Sequence, residues 1–231
     1  MILQDTDPNK FHYDFETINN DEKQFDYYEK YYKLHKQFLQ PTSIKIDIDL
    51  FEKEIKQYHH LFRSWGHNRN HIPRYGISLV NYTGSLEGDE DIACSPLDQY
   101  NFTQPKNQEL SELDFIKKTE VYYNLTSLRT LDPLNNFLIR SNILLWHTHA
   151  NFVPHIDLEP KPNYNLRLWG INDPNGYIFD YRGNKCIDVE PGRIYLVDTT
   201  QFHYAKATKD WIYTFFIALN NNAFNWLENN V

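Results

Sequence analysis

NILLWHT (142–148), NFVPHID (151–157), YNLRLWGI (164–171), YIFDY (177–181), CIDV (186–189), RIYLVD (193–198) and WIYTFFIAL (211–219) are the segments whose reading decides the fold. Each is short and rich in β-branched and aromatic residues. Between them stand Pro160-Lys161-Pro162, Asp173-Pro174-Asn175-Gly176, Arg182-Gly183-Asn184 and Glu190-Pro191-Gly192. Pro and Gly at such places interrupt ladders and set tight turns, so the region reads as short strands joined by turns. The separators leave no room for the helical crossovers that parallel strands need. Strands at this spacing build a sandwich or a small barrel.

Upstream the pattern is mixed. Arg74 to Val80 reads as a strand, as do Ile44, Ile46 and Ile48 alternating with Lys45, Asp47 and Asp49. Asp49 offers a helix N-cap with Glu52 three residues on, and Phe51, Ile55, Tyr58 and Phe62 follow at helical spacing. That predicts a helix through Ser64, ended by Gly66. Phe25, Tyr28, Tyr32 and Phe38 make a rougher helical stripe ended by Pro41. Residues 83–112 read as loop, with a short helix over Leu110 to Lys117. The expected architecture is mainly β (α+β): one domain over 1–231, with a helix-and-strand extension over 1–70 and a β core over 74–220.

Composition narrows the functional classes. Net charge is −8, from 23 Lys and Arg against 31 Asp and Glu, and no basic face stands out, so no nucleic-acid partner is expected. No apolar run approaches the roughly 20 residues that span a bilayer, and the first residues lack a signal-peptide layout. Cys94 and Cys186 are too few for a disulfide scaffold. A cytoplasmic compartment is therefore expected, where the sequons at Asn81, Asn101 and Asn124 go unread. Aromatic residues make up 16% of the chain, so Tyr and Phe must supply much of the core.

The chemistry-bearing residues cluster in the C-terminal half. His155 and Asp157 stand two apart, which in a strand puts both on one face. His203 follows 48 positions later, after another β-run. Two imidazoles and one carboxylate leave open positions around a metal and suit non-haem Fe(II). The competing reading is a surface His and Asp near a turn, with His203 satisfied at a barrel mouth. His147 and His149 offer an accessory pocket residue, or a second metal set of the cupin kind, although no Glu follows within Asn151 to Pro154. His67 and His71 bracket a loop-like Asn68-Arg69-Asn70. Trp169, Tyr177 and Trp211 read as core, and Asn151 as a residue of the site mouth. Neither Cys has a nucleophile's partners, and no Gly-rich phosphate loop is present.

Residues from Arg140 to Asn220 resemble the catalytic core of the 2-oxoglutarate/Fe(II)-dependent oxygenases, a double-stranded β-helix (jelly-roll) fold. They are most similar to the aspartyl/asparaginyl β-hydroxylase branch and its phage-encoded relatives. The matching words are Val153-Pro-His-Ile-Asp157, Leu166-Arg-Leu168, Glu190-Pro-Gly-Arg-Ile-Tyr-Leu196 and Phe202-His-Tyr204, with a fainter match over Arg74 to Leu79. The first seventy residues are unmatched, and their helices are expected to pack outside the core. The resemblance implies Fe(II) on His155, Asp157 and His203, with O2 and 2-oxoglutarate as cosubstrates. It implies a basic residue for the cosubstrate carboxylate, for which Arg167 is the candidate, since a guanidinium meets a carboxylate in two-pronged fashion. The chain departs from the family ten residues beyond His203, where a basic residue is common and Tyr213 stands, and at Leu144, where the branch carries a hydroxyl. Tyr213 and His147 complete the candidate cosubstrate pocket. The implied activity is hydroxylation of an amino-acid side chain in a peptide, a protein or a free amino acid, in the host cytoplasm if the chain is phage-encoded. The alternatives are a non-catalytic β-sandwich binding module and a metal-cupin enzyme using His147 and His149. Residues 83–112 and the N-terminal region are expected to shape the entrance.

Overall fold

A computed structural model describes residues 29–65, 72–94, 110–155, 166–181, 184–185 and 188–231. Its strands are β1 Leu39–Lys45, β2 Arg63–Ser64, β3 Arg74–Asn81, β4 Lys117–Lys118, β5 Ser141–Trp146, β6 Asn151–His155, β7 Leu166–Ile171, β8 Tyr177–Tyr181, β9 Asn184–Lys185, β10 Arg193–Val197, β11 His203–Ala207 and β12 Ile212–Leu219. One sheet runs β1-β10-β7-β12-β5-β3-β2, with β4 paired to β3. The other runs β6-β11-β8-β9. From β5 onward the chain steps back and forth between the two sheets, which face each other as a double-stranded β-helix.

Side-chain alternation divides the apolar residues into two cores. Trp146, Trp169, Tyr177, Phe179 and Tyr195 fill the space between the sheets. Ile143, Leu145, Phe215, Ile217 and Leu219 project from the other face of the larger sheet. That outer face is covered by the helix Ile48–Glu54, whose Phe51 ring lies 4.8 Å from Phe215. Strands β5 and β7 are consequently buried at every residue, which is why they read as continuous apolar runs.

Several local expectations shift. The helix cap is Asp47, whose carboxylate accepts the Leu50 N–H, so Ile48 begins the helix and is not a strand residue. The helix ends at Glu54, gives way to a 3-10 helix over Ile55–Leu61, and then to β2 in place of further helix. Residues 29–34 are helical, but Phe38 is not, and Pro41 lies inside β1. Proline is tolerated there because β1 is an edge strand that need not donate throughout. Phe25, Tyr28 and Gly66 lie outside the described residues. Over 186–189 the described part is coil, and the nearby strand is β9. The short helix over Leu110 to Lys117 contracts to the 3-10 turn Glu112–Asp114, and Asp89–Ala93 is helical within the expected loop.

Two further helices, Glu120–Asn124 and Thr126–Leu134, brace the outer core. Glu54 supplies the missing cap of the second. It accepts the Thr126 and Ser127 N–H groups at 3.0 Å and the Ser127 hydroxyl at 2.8 Å. Burial pushes this carboxyl up, but the hydrogen bonds from Ser127 and Thr126 outweigh it and hold the group below its ordinary value. The ionised form is therefore the one that stabilises the fold. Its contribution is complete above the unfolded Glu value of about 4.3 and fades as pH falls through the lower folded value. Glu54→Ala is expected to lower stability by about 1–2 kcal/mol at neutral pH. Denaturant titration should show that deficit shrinking in acid; an unchanged deficit would count against the cap.

Candidate metal centre

His155 closes β6 and His203 opens β11, and the two stand directly opposite each other in the ladder. Their ring centroids are 4.4 Å apart. The pairing explains how residues 48 apart in sequence meet. A register shift refines it: His203 pairs with His155, but Ala205 pairs with Phe152, so β6 spends three residues where β11 spends two. The extra residue, beside Pro154, acts as a bulge and re-aims the strand. Phe152 and His155 would otherwise point to opposite faces. Instead their rings lie 4.0 Å apart.

Both imidazoles are oriented in the same way. Nδ1 of His155 donates to the Val153 carbonyl at 2.8 Å, and Nδ1 of His203 to the Gln201 carbonyl at 2.7 Å. A carbonyl only accepts, so the proton sits on Nδ1 in each ring. The neutral ring then carries its lone pair on Nε2, the tautomer a metal ligand needs. His203 is buried between Phe38 and Phe179, each with its centroid 5.8 Å away. Phe38 stacks on Tyr181 at 4.5 Å. Among the described residues, His203 is therefore set among aromatic rings at this end of the interior.

Arg167 lies toward the same end of the sandwich. On β7 it shares the inward face with Trp169 and Ile171, and its guanidinium lies 5.0 Å over the Phe216 ring. It is buried, which rules out a solvent-facing strand position. Its ladder partner is Val197; the next N–H, of Asp198, donates to Phe38, whose ring packs on His203. Arg167 and the histidine pair thus occupy the same end of the sandwich. Nη1 of Arg167 meets Glu112 Oε2 at 2.7 Å, and Glu112 Oε1 meets Arg140 Nη1 at 3.2 Å. The opposite end is closed by Tyr177 packed on Trp146, and between the two ends lies Arg74, whose guanidinium is 4.2–4.9 Å from the rings of Trp65, Phe152 and Trp146. Burial pushes the Tyr177 hydroxyl well up, with Arg74 pulling it back, so that end carries a neutral phenol.

The other candidates fall elsewhere. Asp157, His67, His71 and Cys186 lie outside the described residues. Tyr213 is on the outer face of β12, against Phe51, and hydrogen-bonds His59 at 2.7 Å. It follows the parity of Phe215, not that of Phe216, and so lies on the face of the sheet turned away from Arg167. His147 lies just past β5, 3.4 Å from Asp210 and edge-on to Trp211, away from the histidine pair. His149 is exposed, with φ 73°, and makes no second metal set with His147. Among the described residues no three His, Cys, Asp or Glu side chains are grouped to hold a metal. Trp169 and Tyr177 are core, but Trp211 is half-exposed; Leu144 lines the inner core and Asn151 is exposed. Phe38, Arg140 and Glu112 escaped the sequence reading, because each belongs to a segment remote from the histidines and carries no spacing signal; Phe152, three residues before His155, escaped it because regular alternation would send the two side chains to opposite faces.

No protein-family model matches the chain, and no curated protein matches it. Among solved structures it is similar to a prolyl hydroxylase in complex with a hypoxia inducible factor oxygen degradation domain peptide fragment, from Trichoplax adhaerens. That likeness has 12% identity and a TM-score of 0.46, over 89% of this chain and 93% of that one. It is also similar to an oxidoreductase of the 2OG-Fe(II) oxygenase family from Burkholderia pseudomallei, with 13% identity and a TM-score of 0.34, over 64% of this chain and 68% of that one.

Proposed function

We propose that this protein is an Fe(II)- and 2-oxoglutarate-dependent oxygenase that hydroxylates an amino-acid side chain, in a peptide or protein or as the free amino acid. The observation that carries the reading is the cross-strand histidine pair, with both Nδ1 protons fixed on carbonyls, at the end of the interior where Arg167 is buried. Two imidazole lone pairs on adjacent strands fit a first-row metal. Asp157, two positions beyond His155 in sequence, is the proposed third ligand.

Bound there, the metal together with 2-oxoglutarate and O2 supplies hydroxylation of a C–H bond, with 2-oxoglutarate converted to succinate and CO2. The protein's own work is orientation. His155 and His203 present Nε2, and the Val153 and Gln201 carbonyls hold each ring against rotation. Arg167 neutralises and orients the cosubstrate carboxylate through charge-assisted hydrogen bonds. Phe38, Phe152 and Phe179 keep water from the ligand side of the rings and lower the local dielectric. Val153 and Phe202, adjacent in sequence to the two histidines and 64% and 39% exposed, offer apolar surface to a substrate.

Anaerobic addition of Fe(II) and 2-oxoglutarate is expected to give the weak visible charge-transfer band of the chelate, and admission of O2 to release succinate. A saturated titration with neither signal would return the chain to the class of binding modules that share this fold.

A further inference from the structure

Glu112 reaches the Arg167 end of the interior on a fastened turn. The N–H and hydroxyl of Ser111 both donate to Asp114 Oδ2, at 2.7 and 2.9 Å, and buried Leu110 and Phe115 anchor the segment on either side. From this turn the Glu112 side chain, 12% exposed, divides its carboxylate between two guanidiniums: Arg167 at 2.7 Å and Arg140 at 3.2 Å. Arg140 is braced independently by the Cys94 carbonyl at 2.6 Å. One internal carboxylate is therefore already seated on the guanidinium that faces the same compartment as the histidine pair.

We propose that Glu112 is an exchangeable internal carboxylate: it occupies Arg167 until a carboxylate from outside takes that guanidinium, and it then remains on Arg140. Which acid displaces it rests on the oxygenase reading, under which it is 2-oxoglutarate. Two carboxylates compete for the same planar donor edge and the same charge. A buried carboxylate stripped of every partner would carry a heavy desolvation cost. The second contact removes that obstacle, because Glu112 keeps Arg140 when it releases Arg167. The exchange trades one ion pair for another and strands no charge. The consequence is a cosubstrate affinity held below what an uncontested Arg167 would give.

The test is calorimetric titration of 2-oxoglutarate into the anaerobic Fe(II)-loaded full chain, wild type against Glu112→Gln. The amide keeps the size and an acceptor oxygen but loses the charge, so binding is expected to tighten about tenfold or more, at least ~1.4 kcal/mol. Equal or weaker binding by the variant, with wild-type binding intact, overturns the exchange and leaves the oxygenase reading standing. Uptake by neither protein sinks both. A second measurement needs no variant: on adding 2-oxoglutarate to the wild type, amide hydrogen exchange over residues 110–116 should accelerate as Glu112 releases Arg167. Unchanged or slower exchange there, with ligand bound, also overturns it.

Discussion

His155→Ala is expected to abolish succinate formation from 2-oxoglutarate and to weaken Fe(II) binding by at least about a hundredfold. The side chain supplies one of the two imidazoles that β6 and β11 bring together, and its described ring neighbour Phe152 has no lone pair with which to replace it. His203→Ala should fail to the same degree, and the double variant no further, because the two ligands act as a unit. The loss should not be one of folding. His155 is half-buried on an edge strand, and its removal forfeits one hydrogen bond to Val153 and one ring contact, about 1 kcal/mol. Metal content and succinate, measured beside thermal melting of the metal-free protein, separate the two effects. Undiminished turnover would remove this site from the reaction. Tyr213→Phe gives the contrast. Its hydroxyl points to the outer core and bonds His59, so turnover is expected to stay at the wild-type level.

Gly192→Ala is expected to produce the largest loss of stability. Gly192 sits at φ 75°, donates its N–H to the Ile171 carbonyl at 2.7 Å, and accepts the Ile46 N–H at 2.9 Å. It therefore ties the start of β10 both to β7 and to the residue that follows β1. A Cβ there would collide with the Ile46 carbonyl oxygen and press on Ile48 Cγ1 at 3.0 Å. The left-handed conformation alone costs a non-glycine residue roughly 1 kcal/mol. Moving β1 to relieve the clash adds to that, for a total of about 2–4 kcal/mol and a melting temperature lower by roughly 5–15 °C. The junction lies away from the histidine pair, so Fe(II) affinity of the folded variant should be unchanged. A loss under about 0.5 kcal/mol, the range of ordinary surface substitutions, would mean that β1 yields freely at this point.

The short runs of β-branched and aromatic residues from Asn142 onward already determine that strands exist there, and Pro and Gly determine where they stop. Six of those runs overlap β5, β6, β7, β8, β10 and β12, since each rests on local sterics and burial that a short window records. The strand β11 was not legible. Its inward residues are His203, Ala205 and Ala207, two of them small, so HYAKA shows no apolar stripe, and only packing against β6 and β8 makes it a strand. The N-cap at Asp47 was obscured by the next acid, Asp49, a choice that the backbone geometry of one turn decides.

Residue identity and spacing nominate His155, Asp157, His203 and Arg167 as candidates, because imidazole, carboxylate and guanidinium chemistry belongs to the side chain itself. Which of the candidates share a compartment was a matter of sheet register. One residue of parity sends Phe216 inward and Tyr213 outward, and one extra residue at the β6 bulge turns His155 toward Phe152 and His203. Glu112 and Arg140 reach Arg167 from segments 55 and 27 residues away in sequence. Those contacts depend on loop closure over long separations, for which a linear pattern carries no signal, so only the folded chain could bring that carboxylate to that arginine.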